Sequence, residues 1–243
     1  MDSFSQIDSS ALPVHVGIIM DGNGRWAKKQ GQPRTFGHTE GLKRAKEIAR
    51  AASDLGIRYL TLYVFSTENW KRTQEETGFL MGLIHSHIRQ ELDFYRENMI
   101  RVRLIGDRSG LPRQIQDDIL QAEKDTENFT GMSICLAINY GGRDEIIRAV
   151  KKIADKVADK ELKSESINEN DFSSFFDQPD LPDADLIIRT GGEQRLSNFL
   201  MWHSAYAELV FSDILWPDYD KEAFYEDIVR FQHRNRRYGA VPV

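Results

Sequence analysis

The chain has 243 residues, a formal net charge of −6 and a hydrophobic fraction of 40%. This length suits one α/β domain with a full core, and the acidic balance argues against binding to nucleic acid or anionic lipid through bulk charge. No apolar run is long enough to cross a membrane as a helix. The first dozen residues are polar and lack the pattern of a signal peptide, so we expect a flexible N-terminus over residues 1–12 and a single domain over 13–243.

Six apolar runs predict β-strands, and helical patterns fall between most of them. The runs are residues 14–20, 59–65, 100–105, 132–139, 186–189 and 208–211. Apolar residues recur at helical spacing over residues 41–55, 74–98, 112–127, 143–158 and 221–238. Several strands are continuously apolar, which is typical of a sheet covered on both faces. The alternation predicts an α/β fold, with one mostly parallel six-stranded sheet flanked by helices.

Turn-forming residues follow the first predicted strand directly. Asp21, Gly22, Asn23 and Gly24 break the strand, and Arg25 precedes a helix-compatible stretch. Glycines let backbone N–H groups approach an anion, and an arginine offers a forked donor for phosphate oxygens. A carboxylate beside a phosphate needs a cation between them, which favours Mg²⁺, although the same four residues also form ordinary turns.

Polar residues also follow the second, fourth and fifth predicted strands. Ligands of open parallel sheets bind at the carboxyl ends of the strands, so we expect these residues to converge on one rim. Several arginines with hydroxyl and amide groups around one carboxylate describe a site for a polyanion and a metal ion. The residues expected on this rim are Asp21, Asn69, Arg72, Arg189, Arg195 and Ser197.

Longer blocks of sequence carry a resemblance to a known enzyme family. The blocks are HVGIIMDGNGRWA at 15–27, RTFGH at 34–38, YVFSTENWKR at 63–72, INYGGR at 138–143, DLIIRTGGEQRLSNF at 185–199, AYAELVFSDILWPD at 205–218 and RRYG at 236–239. In this order they resemble the cis-prenyltransferases, and most of all the bacterial undecaprenyl diphosphate synthases. The sequence lacks a Walker GxxxxGK[ST] pattern, a GxGxxG pattern in the first loop and the DDxxD motif of trans-prenyl synthases, which argues against those classes.

The resemblance implies cis-prenyl chain elongation, in which isopentenyl diphosphate units are condensed onto an allylic diphosphate, usually farnesyl diphosphate. The implied product is undecaprenyl diphosphate, the lipid carrier for cell-wall synthesis. Also implied are Mg²⁺, a homodimer, a hydrophobic tunnel, and a cytoplasmic location with peripheral association at the inner face of the membrane through the product. A short- or medium-chain synthase stays as an alternative. A subunit of a heteromeric cis-prenyltransferase is a weaker one, because such subunits lose the first-loop aspartate and the arginine pockets.

The family's functional residues carry over to the positions of this chain that match its motifs. By resemblance, Asp21 is a catalytic residue and a Mg²⁺ ligand, and Glu208 is a second Mg²⁺ ligand, supplied across the dimer in some members. Asn69 matches a residue assigned to proton removal, but an amide is a poor base and is better suited to orient the alkene or a diphosphate oxygen. Arg237 and Gly239 match an element that reaches the partner's site. By the same resemblance, the first loop with Arg34 and His38 holds the allylic diphosphate. Arg189, Arg195 and Ser197 match the isopentenyl diphosphate site, and Trp26 and Trp70 match aromatic positions near the prenyl substrates. The full set of implied substrate-binding residues is Gly22, Asn23, Gly24, Arg25, Trp26, Arg34, His38, Ser66, Thr67, Glu68, Trp70, Arg72, Arg189, Arg195, Leu196 and Ser197.

The apolar stripe of the segment 74–98 has two interpretations. Helical periodicity alone does not distinguish the wall of a product tunnel from ordinary core packing. The resemblance implies a tunnel beneath this helix with Met132 on its floor, so we hypothesise that the bulk of Met132 limits product length. The side chains expected to line the tunnel are Phe79, Leu80, Leu83, Ile84 and Ile88.

Overall fold

The computed structural model describes residues 3–234, with the backbone alone for Asn170. Within this range six strands form one sheet. They are β1 (His15–Ile19), β2 (Tyr59–Ser66), β3 (Arg101–Ile105), β4 (Ser133–Tyr140), β5 (Leu186–Arg189) and β6 (Glu208–Phe211). The order across the sheet is β3-β4-β2-β1-β5-β6, and every neighbouring pair is parallel. The predicted single α/β domain with a parallel six-stranded sheet is therefore confirmed.

Helices flank this sheet, and the larger part of the core lies between one face and five of the described helices. In the described range the helices are α1 (Asn23–Lys29), α2 (Arg34–Leu55), α3 (Gln74–Gln90), α4 (Leu92–Glu97), α5 (Arg113–Thr126), α6 (Gly142–Ala158), α7 (Glu169–Ser173) and α8 (Lys221–Gln232). The larger apolar cluster joins the sheet to α2, α3, α4, α5 and α8, and a smaller cluster covers the other face. None of the helices between residues 3 and 234 has the length and apolar character needed to cross a membrane.

Side chains of β4 alternate between these two clusters, as the pleat of a strand requires. Ile134, Leu136 and Ile138 belong to the larger cluster, whereas Cys135 and Ala137 belong to the smaller one. Cys135 is fully buried, as the sequence predicts, and burial raises the pKa of its thiol to about 12.

Helix α2 begins seven residues earlier than the apolar pattern indicates, at Arg34 instead of residue 41. Glycines obscure the pattern, because glycine lowers helix propensity and contributes no apolar side chain. They are needed for close approach to α1: a Cβ at Gly37 would lie 2.0 Å from the Asn23 carbonyl oxygen, and one at Gly41 would lie 2.1 Å from Asn23 Oδ1.

The long helix predicted over residues 74–98 is divided at Glu91. Helix α3 ends at Gln90 and α4 begins at Leu92. The division brings the Glu91 carboxylate to 2.7 Å from Lys46 Nζ on α2. This tertiary ion pair leaves no trace in the spacing of apolar residues. Likewise, α8 ends at Gln232, and the last residues of the predicted segment 221–238 lie outside the described range.

The N-terminal segment, which the sequence predicts to be flexible, contacts α8 through its described residues. Residues Ser3–Gln6 and Ser9–Ala11 form short 3-10 helices. The ring of Phe4 packs against Tyr225 on α8 with 5.4 Å between centroids. Asp8 N donates to Gln232 Oε1 at 3.1 Å, and Gln232 Nε2 donates to the Asp8 carbonyl at 2.7 Å. An aromatic contact and paired hydrogen bonds thus hold the described part of the segment on α8, whereas its polar composition alone suggested no partner.

Candidate functional site

A cleft of about 600 Å³ opens at the carboxyl edge of the sheet. The loops that follow β1, β2 and β5 contribute its polar lining, which is where a parallel sheet is expected to bind a ligand. Five of the six residues expected on this rim are brought together, and Arg195 is not among them. The predicted site residues that line the cleft are Asp21, Asn23, His38, Ser66, Glu68, Asn69, Arg72, Arg189 and Ser197.

Two arginines share the Asp21 carboxylate. Arg189 Nη2 lies 2.9 Å from Oδ2, and Arg25 Nη2 lies 3.1 Å from Oδ1. The Asp21 carbonyl accepts hydrogen bonds from Thr190 Oγ1 at 2.7 Å and from Trp216 N at 3.0 Å, which fix its backbone. The side chain is 29% exposed, so part of the carboxylate still faces the cleft.

Arg189 is the buried cation of the cleft, with a side chain only 5% exposed. Its Nη1 donates to the Arg195 carbonyl at 2.6 Å and to Ser197 Oγ at 2.7 Å. The planar guanidinium therefore connects the loop after β5 to Asp21 after β1. Within residues 3–234 no acceptor pairs with its buried Nε, and a buried donor of this kind is costly unless a ligand supplies the acceptor.

A second charged cluster surrounds Glu76 on α3, a residue that the sequence analysis did not identify. Arg72 Nη1 donates to Glu76 Oε1 at 2.9 Å, and Arg34 Nη2 and His38 Nε2 lie 3.7 Å and 3.8 Å from the same oxygen. Burial, followed by the positive charge of Arg72, lowers the pKa of His38 to about 4, so this imidazole is neutral at pH 7. The spacing of Arg72 and Glu76 at i and i+4 is the feature of the sequence from which this ion pair could have been predicted.

The first loop is shaped by a glycine with a left-handed backbone. Gly22 has φ of 114°, and a Cβ at this position would lie 2.9 Å from Leu215 Cα. Asn23 Nδ2 donates to the Met20 carbonyl at 3.0 Å, while within the described residues its buried Oδ1 has no hydrogen-bond partner. The loop thus forms a tight turn and also presents polar atoms to the cleft, so the two sequence-based interpretations are compatible.

Asn69 forms part of the turn that follows β2. Its Oδ1 accepts a hydrogen bond from Ser66 N at 3.1 Å, and the Ser66 side chain accepts one from the Asn69 backbone in return. This reciprocal pair is a capping box, which fixes the orientation of the amide at the edge of the cleft. Such an arrangement suits an orienting role better than the acceptance of a proton.

The two tryptophans predicted to approach the prenyl substrates do not line the cleft. Trp26 Nε1 donates to Asp218 at 2.6 Å, and its ring stacks on Phe36. Trp70 is 40% exposed and donates from Nε1 to Asn139 Oδ1 at 2.7 Å. Each indole N–H is satisfied by a partner distant in sequence, which the local motif does not reveal.

Other predicted substrate-binding residues also lie outside the cleft lining in this structure. Arg195 is 59% exposed and pairs with Glu193 at 2.5 Å, and Leu196 lines a smaller neighbouring pocket. Arg25 contributes through its contact with Asp21. The remaining members of this set are Gly22, Gly24, Arg34 and Thr67. The residues 237 and 239 of the C-terminal element lie outside the described range.

Glu208 and Asp21 lie at opposite ends of the sheet. Glu208 begins β6, and Phe211 at the other end of that strand pairs with Arg189 beside Asp21. The rise from Glu208 to Phe211 alone is about 10 Å. The Glu208 carboxylate accepts a hydrogen bond from Arg234 Nη1 at 2.7 Å. One chain therefore cannot place both carboxylates on one ion, and a shared ion would require Glu208 from another copy.

The donor set around Asp21 fits a magnesium ion that is held jointly with a substrate. Residues 3–234 contain no group of three or more His, Cys, Asp or Glu side chains arranged to hold a metal. Mg²⁺ commonly keeps several waters and is bound through one or two carboxylates plus substrate phosphates. The partly exposed carboxylate of Asp21 is suited to that mode.

The inner part of the cleft is apolar and continues beneath α3. Leu80, Leu83 and Ile84 line the cleft, and Ile84 and Ile88 line an adjoining apolar pocket of about 30 Å³. Four of the five predicted tunnel residues are thus found here, and Phe79 lines neither space. In this structure the pocket is narrow, so a long prenyl chain would require α3 to move away from the sheet.

The floor and far end of this pocket come from β4, α2 and the α3–α4 junction. Alternate β4 side chains Ile138, Leu136 and Ile134 form the floor. Met132 is next in that alternation and is only 3% exposed, one position beyond the lining. The ion pair of Lys46 with Glu91 adds polar groups to the otherwise apolar wall.

Comparisons with known proteins agree with this geometry. The Prenyltransf family model, described as "Putative undecaprenyl diphosphate synthase", matches residues 19–239. The "Isoprenyl transferase" of Treponema denticola is 58% identical over 226 residues, which are 93% of this chain and 96% of that protein. The "Ditrans,polycis-undecaprenyl-diphosphate synthase ((2E,6E)-farnesyl-diphosphate specific)" of Vibrio vulnificus is 46% identical over 97% of this chain and 94% of that protein.

Solved structures extend the similarity to the whole fold. Lavandulyl diphosphate synthase from Lavandula x intermedia, in complex with dimethylallyl diphosphate, has a TM-score of 0.92 and 37% identity, and the match covers 95% of this chain and 100% of that one. A "probable undecaprenyl diphosphate synthase" from Campylobacter jejuni has a TM-score of 0.78 and 35% identity over 94% of this chain and 99% of that one. The family model matches 221 consecutive residues (19–239). The chain therefore belongs to the undecaprenyl diphosphate synthase family and is a prenyltransferase that catalyses cis-prenyl chain elongation.

Proposed function

We propose that this enzyme extends farnesyl diphosphate with isopentenyl diphosphate units and releases undecaprenyl diphosphate. The observation that carries the proposal is the position of Asp21, held by Arg25 and buried Arg189, at the mouth of a cleft whose inner part is apolar. A diphosphate matches the charged mouth, and a prenyl chain matches the apolar interior. The farnesyl-specific name of the Vibrio relative supports the choice of primer.

The chemistry requires the cleft to stabilise a leaving diphosphate. Each cycle forms a bond between C1 of the allylic chain and C4 of the isopentenyl unit, breaks the C1–O bond and releases a proton from C2 of the isopentenyl unit. Negative charge develops on the departing diphosphate, and donors already oriented towards it lower the barrier. Arg25, Arg34 and Arg72 are the side chains suited to this role, with Asn69 orienting the isopentenyl group.

We assign the cation of this site as Mg²⁺, bound by Asp21 together with diphosphate oxygens. When bound, Mg²⁺ neutralises charge on the diphosphate and helps it to leave. The exchange of partners is straightforward, because the arginines that now pair with Asp21 are equally suited to phosphate oxygens. The carboxylate would then be free to face the cation.

We further propose that the active form is a homodimer. An ion bound by both Asp21 and Glu208 requires two copies, since the two residues lie at opposite ends of one sheet. Helix α6 also exposes two apolar side chains one turn apart, Ile147 at 53% and Val150 at 47%, which suit burial against a second copy. The enzyme would act in the cytoplasm and reach the inner face of the membrane through its apolar product.

A product assay tests the proposal. Purified protein is given farnesyl diphosphate and labelled isopentenyl diphosphate, with Mg²⁺ or with a chelator, and dephosphorylated products are separated by chain length. Mg²⁺-dependent label in a C55 product is the expected result. A shorter product would favour a short- or medium-chain synthase, which the narrow apolar pocket of about 30 Å³ also fits. No incorporation by folded protein would contradict a self-sufficient enzyme and favour a heteromeric subunit.

A further inference from the structure

Asn198, a residue that the sequence motifs did not single out, joins three loops at the edge of the cleft. Its carbonyl accepts a hydrogen bond from Gly142 N at 2.7 Å, and its Oδ1 accepts one from Arg143 N at 2.9 Å. Its Nδ2 donates to Glu68 Oε1 at 2.9 Å. The loops after β2, β4 and β5 therefore meet at one amide side chain.

The backbone around Asn198 is shaped for this role. Ser197 and Asn198 have φ of 49° and 66°, in the left-handed region, which asparagine tolerates better than most residues. A Cβ at Gly141 would lie 2.6 Å from Asn198 Nδ2 and 2.7 Å from Thr67 Oγ1, so glycine allows the loops to approach. Helix α6 has no side-chain cap of its own at Gly141, and Asn198 satisfies two of its first N–H groups instead.

The hydrogen bonds of Asn198 reach residues that face the substrates. Neighbouring Ser197 is held by Arg189 Nη1 at 2.7 Å, and the Tyr63 hydroxyl donates to its carbonyl at 3.3 Å. Glu68, Ser197 and Asn198 line both the main cleft and the smaller pocket beside it. A displacement of Asn198 would thus move the Ser197 hydroxyl and Glu68 together.

We propose that Asn198 is a positioning residue for the isopentenyl diphosphate half of the site. Through Glu68 and the N-terminus of α6 it holds Ser197 at the distance that the second substrate requires, while Arg34 and His38, which the resemblance assigns to the allylic diphosphate, lie near Glu76 instead. This inference rests on the proposed function. It assigns Asn198 no contact with the reacting atoms.

An exchange of hydrogen-bond partners gives the sharpest test. In Asn198→Asp the left-handed backbone and the acceptor for Arg143 N are kept, but a carboxylate now opposes Glu68. Adding Glu68→Gln restores a donor–acceptor pair in the opposite direction and returns the net charge to that of the wild type. Asn128→Asp, on an exposed turn, is the matched control for one added negative charge.

Steady-state kinetics with each substrate varied separately provides the readout. We expect Asn198→Asp to raise KM for isopentenyl diphosphate about tenfold, with KM for farnesyl diphosphate changed by less than about twofold, because a charge-assisted hydrogen bond is lost. The double variant should recover most of that loss relative to Asn198→Asp. The Asn128→Asp control should match the wild type.

Three outcomes would overturn the inference. The effects of Asn198→Asp and of Glu68→Gln, the latter also measured alone, could simply add in the double variant. KM for both substrates could rise equally, or only the melting temperature could fall. The activity of the wild type, measured in parallel, distinguishes a wrong role for Asn198 from a wrong proposed function. If the wild type makes polyprenyl product and the exchange does not rescue, only the role of Asn198 is wrong. If the wild type makes none, the proposed function fails and the role of Asn198 fails with it.

Discussion

Arg189 and Asp21 lie 168 positions apart in sequence, and their side chains form an ion pair of 2.9 Å between Nη2 and Oδ2. The pair joins the loop after β5 to the loop after β1 at adjacent strands of the sheet. Because Arg189 is buried and Asp21 is partly exposed, the arginine serves as the fixed partner and the carboxylate as the accessible one. This asymmetry leads to different expectations for the two residues.

Substitution of Asp21 should abolish turnover and leave the fold in place. Asp21→Ala removes the proposed metal ligand and also leaves Arg189 without its carboxylate, so we expect about 1–3 kcal/mol less stability and a loss of at least about 100-fold in turnover. The product assay and urea unfolding measure the two effects. Glu165→Ala, at an exposed position of a short 3-10 helix, is the control. Turnover near the wild-type rate would contradict the metal site at Asp21.

Arg189→Lys should weaken the site even though the positive charge is kept. A lysine ammonium lacks the planar fork that donates to Asp21, Ser197 Oγ and the Arg195 carbonyl together. We expect KM for isopentenyl diphosphate to rise about tenfold or more. Arg113→Lys on the outer face of α5, where the side chain is 82% exposed, should have no effect. Equal kinetics for both variants would show that only charge matters at position 189.

Met132→Ala should lengthen the products. Met132 continues the row of β4 side chains that floors the apolar pocket, so its truncation extends the space by one position. Cys135→Ala is the matched control, because Cys135 points to the opposite face of the same strand. Chain-length analysis of the dephosphorylated products measures the change. Products no longer than those of the wild type would rule out Met132 as a limit on length.

Stability should fall as the pH drops from about 6.5 to about 4, in part through His15. This imidazole is fully buried between Thr61 Oγ1 and the Pro182 carbonyl, each at 2.8 Å, and burial lowers its pKa to about 4. In that range the unfolded chain binds a proton that folded His15 does not, so protonation favours unfolding. The stabilising contribution of neutral His15 to the free energy of unfolding is therefore lost as the pH falls below about 6.5, and it is constant above about pH 7.

The measurement is urea unfolding at pH 7.5 and pH 5. His15→Gln cannot titrate, so its stability should fall by about 2 kcal/mol less than that of the wild type between these two values. The variant should also start less stable at pH 7.5, because it loses the buried ring. His233→Gln, an exposed position, should keep the wild-type pH dependence. The same pH dependence in His15→Gln would exclude this group as its source.

Local sequence patterns predict the strands well because each strand is a short apolar run between turn residues. The predicted bounds of the β5 and β6 runs agree with the structure, and the other four differ by one residue at one or both ends. Patterns fail where a tertiary contact sets the geometry. The division at Glu91 and the glycines of α2 both depend on neighbours distant in sequence.

The same limit applies to the site. Strand ends predict that Asp21, Asn69 and Arg189 converge, because topology alone brings them to one edge. Motif matching assigns Trp26 and Trp70 to the prenyl substrates, which stays a prediction, but it does not reveal that their indole N–H groups donate to Asp218 and Asn139. Asn198 was missed because its importance lies in three hydrogen bonds to other loops, which no spacing along the chain encodes.

The strand order has a consequence for how the enzyme acquires activity during folding. The cleft draws on loops after β1, β2 and β5, and β5 cannot join β1 until most of the chain has been made or refolded. Parallel pairing of this kind is dominated by contacts between distant residues and is slow to form. Helical circular dichroism should therefore recover before catalytic turnover after dilution from denaturant, so regained activity reports completion of the whole sheet.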